Sequence, residues 1–562
     1  MRLFRAVILV LVALAPLATL VHRNDVRRWE AQHSAMTAPD EFSYLLMARH
    51  FLQGGGLSLK QQLGQDTFYP PGYPLLLAGW TRGVNRGALT AFTAHAFNAA
   101  LLSIDGILAY FLARRLLRPP GHRLSPRAAE FLALLIAALF AANWHVLDSC
   151  LVVMSEPAFM LATFSWLLLA LRWNDWQHRP ARAAAVGLLA VVAWSIRGAG
   201  ITCVAATALF VLLDWFRQWR SAGSATVPPS PKRPLAALAV VLALPLLYQA
   251  ILAAASPAKS LAHADDSGNS YTHQLLTGIA DRNLHWTMLS HLKDFSESFI
   301  PWLREPPDDS FRSAIGIFFA CISFAGLLLR CIHHFPLRRS NPAAHGFLEL
   351  YIVLYVGLYL FWPFNAARFW TPILPVMLVY AATAATTLGS GRRTFPRTGL
   401  TAALLSLLLV LHVEEDFLQL GNRARRLNYV SDSLADAMRA IRRDSAGSSP
   451  PVIAGMGSDE RFLAAWHYSQ ISPDLRFPIL EAPAREHADD MLLRLLKAPL
   501  AGGDAEPRSI YFITYFPVGQ QGIDVRDTLA GVAKKRPDIE IKKIYQKEII
   551  ISVWKLDIVK NP

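Results

Sequence analysis

The chain has 562 residues, 53% of them hydrophobic and only 17% charged, whereas soluble globular proteins carry about 25% charged residues, so a purely soluble enzyme is excluded. The formal net charge of +14 resides mostly in basic segments between apolar runs, where it orients a chain in a membrane, so no nucleic-acid partner is implied. Cys150, Cys203, Cys321 and Cys331 lie in or beside apolar runs without CxxC or metal-ligand spacing, which excludes a disulfide scaffold and a zinc finger.

Apolar runs begin near Leu3, Leu89, Arg127, Cys150, Arg182, Ile201, Leu235, Ser313, Phe347, Phe369 and Gly399. They predict about eleven membrane spans, with an N-terminus held in the cytoplasm by Arg2 and Arg5. The first run is also open to reading as a signal peptide. The segments assigned to the inside, such as ARRLLRPPGHRLSPR and RCIHHFPLRRSNPAAH, are all basic. The outside then holds residues 22–88, tight turns near Trp144, Gly198 and Phe364, residues 255–312, and everything after about His412. The expected fold class is a mostly α, polytopic membrane protein of the plasma (inner) membrane. Its transmembrane domain covers 1–420, and a small extracytoplasmic α/β domain covers 421–562.

In the first outside loop, Pro39, Asp40 and Glu41 open a helical pattern with Phe42, Leu45, Leu46 and Leu52 on one side, and Gly54 to Gly56 terminate it. This predicts an amphipathic helix lying on the membrane surface. YPPGYP, beginning at Tyr69, predicts a rigid turn before a short helix, PLLLAGW. Asp40 and Glu41 complement a helix N-terminus, and they also place carboxylates beside the membrane where a base is useful.

A second acidic site is expected on the same side. DSCLVVMSEPAFM puts Asp148 in a short turn and Glu156 about two turns into the next apolar segment, where an ionisable group is costly and suggests function. Arg197 in WSIRGAGI and Arg368 in FWPFNAARFWTPILPVM share that face, and a guanidinium there can snorkel to the interface or pair bidentately with phosphate. Carboxylates and arginines at one membrane surface describe a site where an anionic lipid phosphate leaves while an acceptor is deprotonated. The substrate-binding candidates are Glu156, Arg197, Arg368, Tyr69 and Asp148.

The tail alternates helix and strand patterns. Leu427, Val430, Leu434, Ala437, Met438 and Ile441 make a helical stripe; PVIAG, SIYFITYF and EIIISVWKL read as strands, and VRDTLAGVAKKR as a helix. GMGSDE after the first strand lacks the third glycine of a dinucleotide fingerprint and reads as a plain turn.

DEFSYLLMARHFLQGG with YPPGYPLLLA, then MSEPAFML, then ARFWTPILPVM together resemble the GT-C superfamily of membrane glycosyltransferases. The resemblance covers roughly residues 1–415 and is closest to the branch of protein O-mannosyltransferases and the lipid A aminoarabinose transferase. It implies a polyprenyl-phosphate sugar donor, a glycan, lipid or protein acceptor, and an inverting transfer with Asp40, beside Glu41, as base or anchor. It places a second acidic position on Glu156, where many relatives carry Asp. Some members use a divalent metal; His263, His273, His285 and His291 are the histidines of the second long outside loop, and they share no ligand spacing. A transporter or lipid flippase is the alternative, although the halves show no matching broken helices. A structural assembly protein would rest on the tail alone.

Overall fold

The computed structural model describes residues 2–23, 39–56, 69–118, 124–172, 179–222, 232–255, 284–300, 310–334, 346–362, 367–387, 395–445, 452–455, 493, 509–515, 525–547 and 551–558. The turn expected near Phe364, His263, His273 and most of GMGSDE lie outside these residues. The chain groups into two compact units, residues 1–23, 68–76 and 95–421 in the first and residues 24–67, 77–94 and 422–562 in the second.

The helices of the first unit are α1 (Arg2–Arg23), the end of α4 (Ala91–Leu116) from His95 onward, α5 (Pro126–Ala141), α6 (Trp144–Leu151), α7 (Glu156–Ala170), α8 (Pro180–Ile196), α9 (Ile201–Ala222), α10 (Lys232–Ala255), α11 (Leu284–Glu297), α12 (Ser310–His334), α13 (Gly346–Leu360), α14 (Leu374–Thr387) and the first half of α15 (Phe395–Asp444). Each of the eleven apolar runs is helical. Among the described residues, five stretches are long and apolar enough to cross a membrane: Leu3–Val21, Phe92–Leu116, Gly198–Phe216, Ser313–Ile332 and Ala367–Thr386. Pro126–Ala141 and Trp144–Leu151 form a sixth, bent by 43°. Of the other five, Glu156–Ala170, Ala181–Ile196 and Gly346–Leu360 are shorter than about 30 Å of hydrocarbon demands of a straight helix, whereas Val241–Ile251 and Thr398–Glu414 are apolar parts of the longer helices α10 and α15.

Polar side chains explain the breaks. Asn143 caps α6 by accepting from the N–H groups of His145 (3.1 Å) and Val146 (3.4 Å), and its amide donates to the Ser298 carbonyl at 2.8 Å. Asp148 therefore lies inside α6, not in a turn. The next helix starts only at Glu156, so this residue occupies the first turn rather than a position two turns in. Pro157 at the start of α7 suits a helix N-terminus, which is why the run splits there.

Hydrogen bonds define one end of the first unit. Arg115 Nη2 donates to the Leu171 carbonyl at 2.9 Å, and Arg330 Nη2 donates to the Leu116 carbonyl at 3.1 Å. The C-terminal ends of α4, α7 and α12 thus meet. The core is dense and aromatic: Trp166, Tyr351, Tyr355 and Tyr380 are fully buried, and Trp166 meets Tyr351 with ring centroids 5.1 Å apart.

Among the described residues, the second unit holds α2 (Pro39–Leu52), most of α3 (Gly72–Asn85), the tail half of α15, and α16 (Val525–Lys535) with four strands, β1 (Val452–Gly455), β2 (Ser509–Tyr515), β3 (Ile539–Lys547) and β4 (Ile551–Ile558). The sheet order is β1-β2-β4-β3, parallel between β1 and β2 and antiparallel elsewhere. Asp444 ties the end of α15 to this sheet, accepting from Tyr511 Oη at 2.9 Å and pairing with Lys555 Nζ at 2.9 Å. Burial raises its carboxyl, but the bonds from Lys555 and Tyr511 outweigh that and hold it below the usual aspartate range.

Helix α2 departs from expectation. Ser43, Tyr44, Leu45, Leu46, Met47 and Ala48 are all buried, a run longer than one turn, so every side of the helix is enclosed and it is no amphipathic surface helix. Its end is as expected: Gly54 adopts φ +82°, the left-handed conformation glycine allows, and Gly55 N–H donates to the His50 carbonyl at 2.9 Å.

Candidate functional site

The site forms where three broken helices end. Arg197 follows α8 in an extended conformation (φ −149°, ψ 137°) before the 3-10 turn Gly198–Gly200. The turn needs glycine, since a Cβ on Gly200 would stand 2.2 Å from the Trp194 nitrogen. Arg368 lies in a second 3-10 segment, Ala367–Ile373, where Pro372 removes a backbone donor an α-helix would use, and Pro375 follows in the first turn of α14. Tyr355 Oη donates to the Phe369 carbonyl at 2.7 Å and pins this segment to α13.

Both arginines converge on Glu156. Arg197 Nη1 stands 2.8 Å and Arg368 Nε 3.2 Å from Glu156 Oε1. Glu156 is 2% exposed, while the side chains of Arg197 and Arg368 are 17% and 32% exposed. The carboxylate is thus the buried floor and the guanidiniums the accessible rim. Two guanidiniums against one carboxylate leave a single positive charge, which favours an anion.

Aromatic rings fix the rim. Arg197 Cζ lies 4.9 Å and Arg368 Cζ 5.5 Å from the Phe369 ring centroid. Arg197 Nε donates to Tyr359 Oη at 3.3 Å, and Tyr359 stacks on Phe369 with centroids 5.2 Å apart. Arg368 Nη1 also contacts Met154 Sδ at 3.6 Å.

The break between α6 and α7 exposes carbonyls that α4 satisfies. Asn98, fully buried, donates to the carbonyls of Ser149 (3.0 Å) and Met154 (3.1 Å) and accepts from Tyr73 Oη at 2.8 Å. His95 Nδ1 meets the Cys150 carbonyl at 2.8 Å. Tyr73 and Gly72 belong to YPPGYP, and a Cβ on Gly72 would come within 2.5 Å of the Ser195 carbonyl, two residues before Arg197. The motif therefore braces both the Glu156 and the Arg197 sides of the site.

Of the expected site residues, the structure brings Glu156, Arg197 and Arg368 together. Asp148 is half-buried on α6. Tyr69 is half-buried just ahead of α3. Asp40 and Glu41 open α2 in the other unit; Glu41 is fully buried, and the Asp40 side chain lies outside what is described. Sequence reasoning missed Tyr359, Phe369, Met154, Asn98, His95 and Tyr73. The signal for Tyr359 was present in the four-residue spacing of Tyr351, Tyr355 and Tyr359. Among the described residues no three His, Cys, Asp or Glu side chains gather to hold a metal; His291 instead meets the Trp362 carbonyl at 2.7 Å.

No family model and no curated protein matches the chain by sequence. Solved structures do match it. The oligosaccharyltransferase of Archaeoglobus fulgidus, in complex with Zn and sulfate, aligns with a TM-score of 0.52 at 12% identity, over 90% of this chain and 68% of that chain. AglB from the same organism, in complex with an inhibitory peptide and a dolichol-phosphate, gives 0.51 at 12% identity over 91% and 69%. ArnT from Cupriavidus metallidurans in the apo state gives 0.50 at 12% identity over 98% and 97%. The chain has the GT-C fold. It is a multi-pass, mostly helical membrane protein with a small α/β region at its C-terminal end.

Proposed function

We propose that this protein is an integral-membrane glycosyltransferase that moves a sugar from a polyprenyl-phosphate donor to an acceptor on the outer face of the plasma (inner) membrane, with inversion. The observation that carries the reading is the buried carboxylate of Glu156 holding Arg197 and Arg368 as a cationic rim, within a fold whose solved examples include an enzyme complexed with a dolichol-phosphate. In this reading the lipid phosphate docks on the two guanidiniums. The acceptor hydroxyl gives its proton to Asp40 as its oxygen bonds to the anomeric carbon. The bond from that carbon to the phosphate oxygen breaks, and the lipid phosphate departs with the electron pair. The arginines meet the charge that grows on the leaving phosphate, the kind of stabilisation that acts selectively in a transition state. A single displacement inverts the anomeric centre. Tyr69 and Asp148 are assigned to the substrate-binding surroundings, and Glu41 stands beside the base.

The test compares lipids and envelope glycans by mass spectrometry in cells carrying the wild-type gene, an Asp40→Asn variant, or no gene. A donor lipid that accumulates, and one glycan modification that vanishes, in both the variant and the deletion supports the reading. General-base assistance is typically worth about 100- to 10,000-fold, so residual transfer should be small. Wild-type modification in Asp40→Asn removes Asp40 from the chemistry, and identical glycans with and without the gene overturn the enzyme reading.

A further inference from the structure

A second charge cluster lies at the opposite end of the first unit from Glu156, and the proposed transfer chemistry does not use it. Glu130, in the second turn of α5, is the hub. Arg118 Nη2 approaches its Oε2 at 2.7 Å, Arg114 Nε at 3.0 Å, and Arg5 Nη1 approaches Oε1 at 3.5 Å. Tyr110 Oη donates to the same Oε1. These groups come from the start of α1, the end of α4 and the start of α5.

Three guanidiniums against one carboxylate leave two positive charges. Glu130 is 9% exposed, but Arg5, Arg114 and Arg118 are 40%, 35% and 34% exposed. The carboxylate therefore gathers the arginines without neutralising them, and each five-donor fork turns only part of its edge to Glu130. The depth is that of lipid head groups: Arg5 is two residues inside the stretch beginning at Leu3, and Arg118 two residues past the stretch ending at Leu116.

An apolar companion adjoins the charges. Phe4 and Phe131, the chain neighbours of Arg5 and Glu130, stack with centroids 6.5 Å apart and remain 44% and 39% exposed. Phosphate chemistry beside an exposed aromatic pair fits a molecule with an anionic head and an apolar chain. Basic sites between helix ends at a membrane surface bind such lipids. We propose that the arginines around Glu130 bind the phosphate of an anionic phospholipid of the surrounding bilayer, with Phe4 and Phe131 bedding an acyl chain.

The test uses purified full-length protein in neutral detergent, with phosphatidylglycerol, phosphatidylcholine and inorganic phosphate as separate probes, and native mass spectrometry to count retained lipid. Phosphatidylglycerol should be retained over phosphatidylcholine. A charge at this surface is worth about fivefold in affinity, so Arg114→Gln with Arg118→Gln should weaken phosphatidylglycerol binding about 30-fold and leave phosphatidylcholine unchanged. Arg5→Gln, which removes the longest of the three contacts, provides a milder variant with about a fivefold loss. Glu130→Gln should bind phosphatidylglycerol at least as well as wild type, which a purely structural ion-pair hub would not do. Equal retention of the two lipids, wild-type retention by both arginine variants, or displacement of phosphatidylglycerol by millimolar inorganic phosphate would overturn the assignment.

Discussion

Replacing Glu156 with Gln preserves the shape of the side chain and removes one charge, which separates what the carboxylate does for folding from what it does for binding. Its Oε1 stands 2.8 Å from Arg197 and 3.2 Å from Arg368, so the substitution leaves two guanidiniums without their counter-charge. Removing one partner of a fully buried pair costs about 3–5 kcal/mol. Here the arginines are 17% and 32% exposed and the amide oxygen still accepts a hydrogen bond, so the expected cost falls to about 1–2 kcal/mol. Anion binding should move the other way. A phosphate on the arginine rim would lie roughly 6 Å from the carboxylate, and at an effective dielectric constant of about 20 that repulsion is worth roughly 3 kcal/mol before screening. Screening leaves about 1 kcal/mol, or about fivefold tighter binding of a polyprenyl phosphate. Titration with polyprenyl phosphate reads this out through intrinsic fluorescence, because Trp362 and Trp370 both contact Tyr359 (centroids 6.2 and 6.0 Å). A lower thermal midpoint together with tighter binding is expected. Weaker binding at an unchanged midpoint would refute the reasoning, because Glu156 would then be a ligand contact rather than the floor beneath the arginines.

Arg368→Lys keeps the charge but loses the planar fork, so polyprenyl phosphate affinity should fall about tenfold in the same titration; an unchanged affinity would reduce Arg368 to an interfacial anchor. Asn98→Ala strips donors from the Ser149 and Met154 carbonyls and an acceptor from Tyr73, at about 1–3 kcal/mol for each buried group left unsatisfied. Its thermal midpoint and polyprenyl phosphate affinity should both drop, and Asn98→Asp should not rescue them because it has no amide donors; normal binding in either variant would remove Asn98 as a positioning residue. In the C-terminal region the folded-state carboxyl of Asp444 is depressed, so its stabilisation is complete above the unfolded value near 4 and is lost as pH falls through the folded value. Fluorescence of Trp554, one residue from Lys555, should report acid unfolding that Asp444→Asn makes less steep; an identical acid transition in that variant would contradict the linkage.

Long apolar periodicity made the helices legible, because a membrane demands extended apolar runs and leaves few other ways to satisfy the backbone. It could not show how those runs break. Glu156 and Asp148 were misplaced because Val152, Val153 and Met154 continue the hydropathy while the backbone leaves the helix, satisfied by Asn98 and His95 from far away in the chain. Arg197 and Arg368 stood out as charges beside apolar segments. Their convergence on Glu156 depends on the crossing of α7, α8 and the 3-10 segment after α13, which local pattern does not encode. Strand β3 was missed because DIEIKKIYQK alternates weakly and a bulge between Lys543 and Tyr545 shifts its register. The tail helix was expected as a separate element from Leu427, yet α15 runs unbroken from Phe395 to Asp444, since no Pro interrupts it after Pro396 and Gly421 is tolerated inside. Helix α2 misled because Ser43 and Ala48 sit where a wet face was expected, and packing overrode the pattern.

The most direct measurement is the affinity of the purified protein for a polyprenyl phosphate and for the matching polyprenol, with wild type compared to a variant carrying both Arg197→Gln and Arg368→Gln. The lipid tails are identical, so the difference isolates the phosphate. Wild type should bind the phosphate at least about 100-fold more tightly than the alcohol, in keeping with two charge-assisted contacts, and the double variant should lose most of that preference. Equal binding of phosphate and alcohol by wild type, or an undiminished preference in the variant, would contradict a lipid-phosphate site at Glu156, Arg197 and Arg368.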